Sequence, residues 1–435
     1  MIITYDEKYI QLSMEQKTNY VTSKGCMDYY GQTYNQLINY KNILENIFTL
    51  NGGIPLETPV FENKSVLMNK YGEEADTKLV FNLMDEGGEP LTLRYDHTVP
   101  FVRFIKENGI QKIRRYSIGK VYRRDQPQLS KGRLREFYQA DFDILGESNS
   151  SMLPELTLLN MINQFMIKIN QSNYTIYLNH TDNLKWILCE QLGLDIINFK
   201  KVCSLIDKVD FDREETFIES FRMIIPELSK YFTDHQIILL QDFIRSKNPL
   251  DKKVENNFNS LLKYSHIFGF SDKIKFNSCL ARGLDYYNGF IFEVKLTGIS
   301  NTIIAGGRYD NMIESNTLIG VSFGISRILQ LLNQNDNIKK WKSDVYVKSL
   351  GKISIETKLN IISKLPEILS NNSIQFSSIL YDTDEKSKKL TPVITECVTN
   401  YYKYLIVIAE NELANNQIIV KDLEQKTQTN ISIGL

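Results

Sequence analysis

The sequence predicts an α+β protein, and three observations carry that prediction. Strand-like segments gather in two blocks, 79–146 and 276–330. A mainly helical stretch separates them. Beyond residue 343 the pattern changes again, to strand and helix in alternation, as expected of a small α/β domain. A chain of 435 residues is long enough for two or three separate cores.

The elements follow in order. Residues 1–24 are polar and unpatterned, and they predict a loosely held arm. From Tyr34 the apolar positions Leu37, Ile38, Leu44, Ile47 and Phe48 recur at helical spacing, and Asn51, Gly52 and Gly53 stop that helix. Residues 54–60 hold two prolines, Pro55 and Pro59, and read as an edge strand. Residues 79–83 and 91–95 form a hairpin pattern around 85–88, and a short helix follows at 99–108. Residues 113–123 and 134–145 are extended and joined by a charged loop, long for a simple hairpin. Helical patterns then occupy 152–170, 184–192, 217–223, 236–244 and 254–264, with one clear strand at 174–178. Strands return at 290–296, 302–305 and 319–324, and a helix starts at Ile325. After a polar linker at 333–342, strands at 344–347, 376–380 and 404–409 alternate with a helix near 356–371.

Composition excludes several functions. Lys plus Arg number 51 against 52 acids, a net charge of -1, so the chain is no bulk-charge nucleic-acid coat. Five cysteines and four histidines lie far apart, without CxxC or HExxH spacing. That argues against a disulfide framework or a transition-metal site and fits a reducing compartment. The first residues lack a basic stretch followed by an apolar core, so no secretory signal is expected. No run of 18 apolar residues occurs, so no membrane span is expected. Neither GxxxxGK[ST] nor a strand-linked GxGxxG is present, which excludes those two modes of nucleotide binding.

The local charge is uneven. Between 103 and 135 stand eleven Lys and Arg residues against two acids, Glu107 and Asp125. The strand that follows gives this run a purpose. Arg135, Phe137, Gln139, Asp141 and Asp143 alternate and share one face, while Tyr138, Ala140, Phe142 and Ile144 form the core face. A cation, a ring, an amide and two carboxylates together suit a ligand with a phosphate, a flat ring and a cationic group. Arg94, Asp96 and Thr98 alternate in the same way. Residues 282–289 (RGLDYYNG) join a cation, glycines and paired tyrosines. Gly306 and Gly307 let backbone approach a ligand closely, and Arg327 falls in the first turn of a helix, where a phosphate could sit.

Together these motifs resemble the histidyl-tRNA synthetases, a class II aminoacyl-tRNA synthetase family, over about residues 25–435. The similarity is tightest in LRYDHTVPF (93–101), in VYRRDQP (121–127) through GRLREFYQADFD (132–143), and in ARGLDYYNG (281–289). AGGRYD (305–310) and a third motif ending at Arg327 complete the set. The RYD and YRRD wording is closer to the eukaryotic branch.

The resemblance implies a class II antiparallel sheet with flanking helices, a mainly helical insertion and a C-terminal α/β anticodon-binding domain. Its domains would be an arm at 1–24, a catalytic core at 25–148 and 273–334, the insertion at 149–272, and the anticodon-binding domain at 343–435. It implies ATP-dependent activation of L-histidine and transfer to histidine tRNA in the cytoplasm, with Mg²⁺ accompanying ATP. A homodimer would form through residues 28–62, with Pro59 at the first motif's proline.

For the site it implies Arg123 on the α-phosphate, Asp125 on the adenine amino group, Phe137 stacked on adenine, and Arg133 and Arg327 among the ATP-binding residues, with Arg327 on the γ-phosphate. Asp96, Thr98 and Gln139 would hold the histidine α-ammonium. Asp143 and Tyr287 would read the imidazole, with Tyr286 and Tyr309 lining the pocket. Arg282, with Arg123, would be catalytic, and both would touch histidine. Three positions depart from the family pattern: Cys26-Met27 in an early signature, His97 in place of Leu, and Ser326 in place of Glu. An idle paralogue that binds tRNA or histidine is the alternative. Retention of Arg123, Arg282 and Arg327 favours the enzyme.

Overall fold

The structure, a computed structural model, describes residues 21–66, 80–83, 87–124, 126–128, 132–147, 152–211, 214–281, 283, 287–313, 316–332, 344–376, 378–382, 389–400 and 402–434. The chain divides into two compact units, residues 1–28 with 36–332 and residues 29–35 with 333–435.

The first unit is built on an eight-stranded sheet. Its strands are β1 (Ile54–Pro55), β4 (Ile113–Tyr122), β5 (Glu136–Leu145), β6 (Tyr174–His180), β7 (Ile274–Phe276), β8 (Phe290–Leu296), β9 (Thr302–Arg308) and β10 (Leu318–Phe323). They lie in the order β1-β4-β5-β10-β9-β8-β6-β7, antiparallel except for the two outer pairs. A separate pair, β2 (Phe61–Asn63) and β3 (Leu91–Leu93), is antiparallel. Residues 81–83 extend it through bonds to Leu91 and Leu93, the pairing expected of 79–83 with 91–95, while residues 84–86 of the expected turn lie outside the described residues.

One face of the large sheet is closed by helix α1 (Gly31–Leu50) and helix α3 (Leu153–Lys168); α2 is Thr98–Asn108. The core side of β5 meets them. Phe142 lies 5.3 Å from Phe48 of α1 and Phe323 lies 5.3 Å from Phe165 of α3, ring centre to ring centre. Each fully buried phenylalanine contributes roughly 1.5–3 kcal/mol. Helix α1 ends as its sequence predicts: Gly52 takes a positive φ, and the Gly53 N–H returns to the Phe48 carbonyl.

Within 149–272, helix α3 and strand β6 belong to the sheet layer. The helices that share a separate core run from Leu184 to Ile244, with Leu188, Val202, Phe221 and Leu240 buried among them. One of them, Asp234–Ile244, begins in a capping box between Thr233 and Gln236.

The second unit carries a five-stranded sheet, ordered Ile379–Tyr381, Val345–Leu350, Tyr404–Ala409, Gln417–Asp422, Thr427–Ser432. The first three strands are parallel and the last two antiparallel. Helix Ile355–Asn371 covers one face through Ile361, Leu365 and Leu369, and helix Leu390–Thr399 supplies Val393 and Cys397 to the other. The sequence reading anticipated the first three strands and the first helix. The final hairpin was missed, because the strand Thr427–Ser432 is exposed at all but one position and polar throughout apart from Ile431.

Candidate active site

The open face of the large sheet collects the polar residues. Register decides which of them meet. Asp143 of β5 stands between Arg115 of β4 and Gly320 of β10, and Gly320 stands opposite Gly307 of β9. One step along, Ser117, Asp141, Ser322 and Ala305 form the next row. Paired residues share a face, so the alternation predicted from 135–143 extends across four strands.

Two glycines make the floor. A side chain at Gly320 would overlap the Asp143 carboxylate and reach within 3.2 Å of the Tyr309 ring, and one at Gly307 would lie 3.0 Å from the Tyr287 ring. Over this gap Tyr287 and Tyr309 meet edge to face, 6.5 Å between ring centres. The Tyr309 hydroxyl donates to Asp143 Oδ1. Tyr309 is completely enclosed, and burial, reinforced by the Asp143 charge, holds its phenol well above the usual range.

Arg115 is the residue the sequence analysis left unassigned. It has no solvent exposure, pairs with Asp143 at 2.7 Å, donates to the His97 carbonyl at 3.0 Å and stacks over Phe101. It is one cation between two buried carboxylates. Burial pushes the Asp141 carboxyl up to about 7, against the pull of Arg115 and of a hydrogen bond from Ser322, while Asp143 adds to the rise.

A chain of hydrogen bonds runs outward from Asp141. The Ser322 hydroxyl donates to Asp141 Oδ1 at 2.6 Å, and Gln139 Nε2 donates to Ser322 Oγ at 2.7 Å. Gln139 Oε1 faces Arg123, whose Nη2 lies 3.4 Å away. The Arg123 guanidinium lies 4.4 Å from the Tyr95 ring centre and 5.1 Å from that of Phe137. The structure thus brings Arg123, Phe137, Gln139, Asp143, Tyr287 and Tyr309 onto one face.

Asp96 and Thr98 begin α2. The Asp96 Oδ1 atom accepts the Thr98 and Val99 N–H groups at 3.1 and 3.0 Å, satisfying two free donors of the helix start. Arg94 corrects the sequence expectation. It does not share a ligand face with Asp96 and Thr98, because the chain leaves its strand at Leu93. Arg94 is buried and bonds the Lys120 and Thr58 carbonyls, bracing β4 to the preceding segment. His97 is buried against Gly119, and burial, with the Arg94 and Arg115 charges, drives its imidazole down to about 3.

At the other end, Arg327 sits in the first turn of Ile325–Leu332 and donates to the Thr302 carbonyl at 2.7 Å and the Gly132 carbonyl at 3.3 Å. Ser326 is turned away: its buried hydroxyl accepts the Tyr138 N–H at 2.9 Å. Arg133 is exposed, its backbone paired with Gln128. Asp125, Arg282 and Tyr286 lie outside the described residues.

Four of the eleven cations of 103–135 are answered by acids outside that run. Arg103 pairs with Glu62, Arg114 with Glu147, Arg115 with Asp143 and Lys120 with Glu136, each within 3.0 Å. Among the described residues no three His, Cys, Asp or Glu side chains are placed to hold a metal ion. No helix among them is long and apolar enough to cross a membrane.

A family model for histidyl-tRNA synthetase matches residues 25–328. The chain is 34% identical to the cytoplasmic histidine–tRNA ligase of Dictyostelium discoideum, over 96% of this chain and 90% of that one. It is also 34% identical to the probable cytoplasmic histidine–tRNA ligase of Encephalitozoon cuniculi, over 94% and 96%. Among solved structures, histidyl-tRNA synthetase from Nostoc sp. PCC 7120 superposes with a TM-score of 0.75 at 18% identity, covering 95% of this chain and 96% of that one. That last likeness concerns the fold. On the family match and these identities, the chain belongs to the histidyl-tRNA synthetase family.

Proposed function

We propose that the chain is a histidine–tRNA ligase that activates L-histidine with ATP and passes it to histidine tRNA. The observation that carries this reading is the single polar face on which Arg123, Phe137, Gln139, Asp143, Tyr287 and Tyr309 converge. It offers a cation and a ring for a nucleotide beside an amide and a carboxylate for an amino acid.

In the first step a histidine carboxylate oxygen attacks the α-phosphorus of ATP. That P–O bond forms as the bond to pyrophosphate breaks, giving histidyl-adenylate. A ribose hydroxyl of the terminal tRNA adenosine then attacks the carbonyl carbon and releases AMP. The residues need supply no covalent intermediate, so they act by positioning and charge stabilisation. Arg123 takes the α-phosphate, Phe137 the adenine ring with Asp125 on its amino group, and Arg327 the γ-phosphate, with Arg133 beside the nucleotide. Asp96, Thr98 and Gln139 take the α-ammonium. Asp143, held between Arg115 and Tyr309, accepts an imidazole N–H with Tyr287 beside it, and Tyr286 lines the pocket. Arg282 stabilises charge on the five-coordinate phosphorus.

Mg²⁺ would accompany ATP, held chiefly by its phosphate oxygens. A homodimer through residues 28–62 fits the exposure of Leu50, Ile54 and Phe61, large apolar side chains within one short stretch. Residues 343–435 are proposed as the anticodon-binding domain. The cytoplasm is the proposed compartment, as named for the relatives. The test is transfer of radiolabelled histidine to a total tRNA pool. Labelled tRNA that loses its label under mild base is the expected result. Adenylate without charged tRNA, or no reaction, overturns the reading in favour of an idle paralogue.

A further inference from the structure

We propose that Ser322 and Asp141 are positioning residues that fix the Gln139 amide with its oxygen toward the substrate ammonium. The proposal rests on the histidine-activating reading and adds to it two residues that touch no substrate.

The argument is one of hydrogen-bond polarity. A glutamine amide can sit two ways round, and only its neighbours decide which. Asp141 is a carboxylate 4% exposed, and its Oδ1 accepts the Ser322 hydroxyl proton at 2.6 Å. That proton is then committed, so Ser322 Oγ can serve Gln139 only as an acceptor. The Gln139 NH₂ group turns to it, at 2.7 Å. Oε1 is left on the opposite side, toward Arg123 at 3.4 Å. Both neighbours demand the same orientation: a donor group faces Ser322 and an acceptor faces the cationic side. A reversed amide would put its oxygen against a hydroxyl whose proton is taken and its NH₂ group against a guanidinium.

The consequence is specific to one part of the substrate. An α-ammonium needs an acceptor, and Gln139 Oε1 supplies it only while the relay holds. The imidazole is read elsewhere, by the group around Asp143, Arg115 and Tyr309. Loss of the relay therefore weakens ammonium recognition and leaves ring recognition intact.

The test uses the full chain in histidine-dependent ATP–pyrophosphate exchange at pH 8.5, where Asp141 is ionised. Two competitive inhibitors are compared: histidinol, which keeps ring and ammonium, and 3-(imidazol-4-yl)propionate, which keeps ring and carboxylate and lacks the ammonium. Ser322→Ala is expected to weaken histidinol and histidine roughly three- to tenfold, the loss of one hydrogen bond's orientation. The propionate should bind as it does to the wild type, and KM for ATP should hold. Ser322→Thr, which keeps the hydroxyl, should restore the wild-type ratio. Equal weakening of both inhibitors, or of neither, overturns the proposal. A wild-type protein without histidine-dependent exchange instead removes the reading beneath it, so the two failures are distinguishable.

Discussion

Gly320→Ala is the smallest change that the site should not tolerate. The residue lies in regular antiparallel strand, so its backbone does not require glycine; its surroundings do. A Cβ there would overlap Asp143 Oδ1, stand 2.9 Å from Asp143 Cγ and stand 3.2 Å from the Tyr309 ring. Asp143 has no slack, because Arg115 holds it at 2.7 Å and Tyr309 donates to it, and both partners are buried. The carboxylate must retreat by roughly 1 Å, and a displacement of that size costs on the order of 10²-fold in rate. Overpacking of this kind costs about 1–3 kcal/mol of stability, so the variant's melting curve is recorded beside its activity. The assay is ATP–pyrophosphate exchange with histidine varied. The expected result is kcat/KM for histidine down by about 10²-fold with KM for ATP held within about twofold. Gly87→Ala, where nothing lies within 4 Å, is the control and should behave as wild type. A Gly320→Ala enzyme within about threefold of wild type would show that Asp143 does not need its present position to read the substrate.

Three further expectations follow from the same structure and sequence. Arg282→Ala should lose roughly 10²–10³ in adenylate formation, the scale for one oriented transition-state donor, with its melting curve unchanged; near-normal exchange would remove Arg282 from the chemistry. His97 is buried neutral with its imidazole lowered to about 3, so its contribution is intact above pH 6.5 and is lost as pH falls toward 3. His97→Leu should therefore gain on the wild type by about 2 kcal/mol between pH 7.5 and pH 5 in urea unfolding, and a pH-independent difference would contradict the assignment. Phe61→Asp should shift the sedimenting species from dimer to monomer; an unchanged dimer would place the interface outside residues 28–62.

Much of the site was legible because its polar residues alternate along one strand. Phe137, Gln139 and Asp143 needed only the two-residue period to be placed on a common face. Their partners needed register, which the sequence does not display. Arg115 lies 28 positions before Asp143 and Ser322 lies 181 after Asp141, and nothing local marks either as a neighbour. The same limit explains the charge run, whose answering acids Glu62 and Glu147 fall outside the window in which it was counted. Arg94 shows the converse error: alternation was extended to Thr98, five residues past the strand's end at Leu93. In the fold, the long periodic helices and most of the apolar strands were evident, though Gln417–Asp422 was not. The short helix Phe199–Ile206 and the polar terminal hairpin were not, since eight residues or an exposed strand give too weak a pattern.

The most direct test of the account is ATP–pyrophosphate exchange with each of the twenty amino acids supplied in turn to the wild-type chain. It asks at once whether the face around Phe137 takes ATP and whether the group around Asp143 selects a ring N–H. The account predicts exchange with histidine alone, and its loss in Asp143→Ala. Exchange with another amino acid, or none in protein shown to be folded, would contradict it.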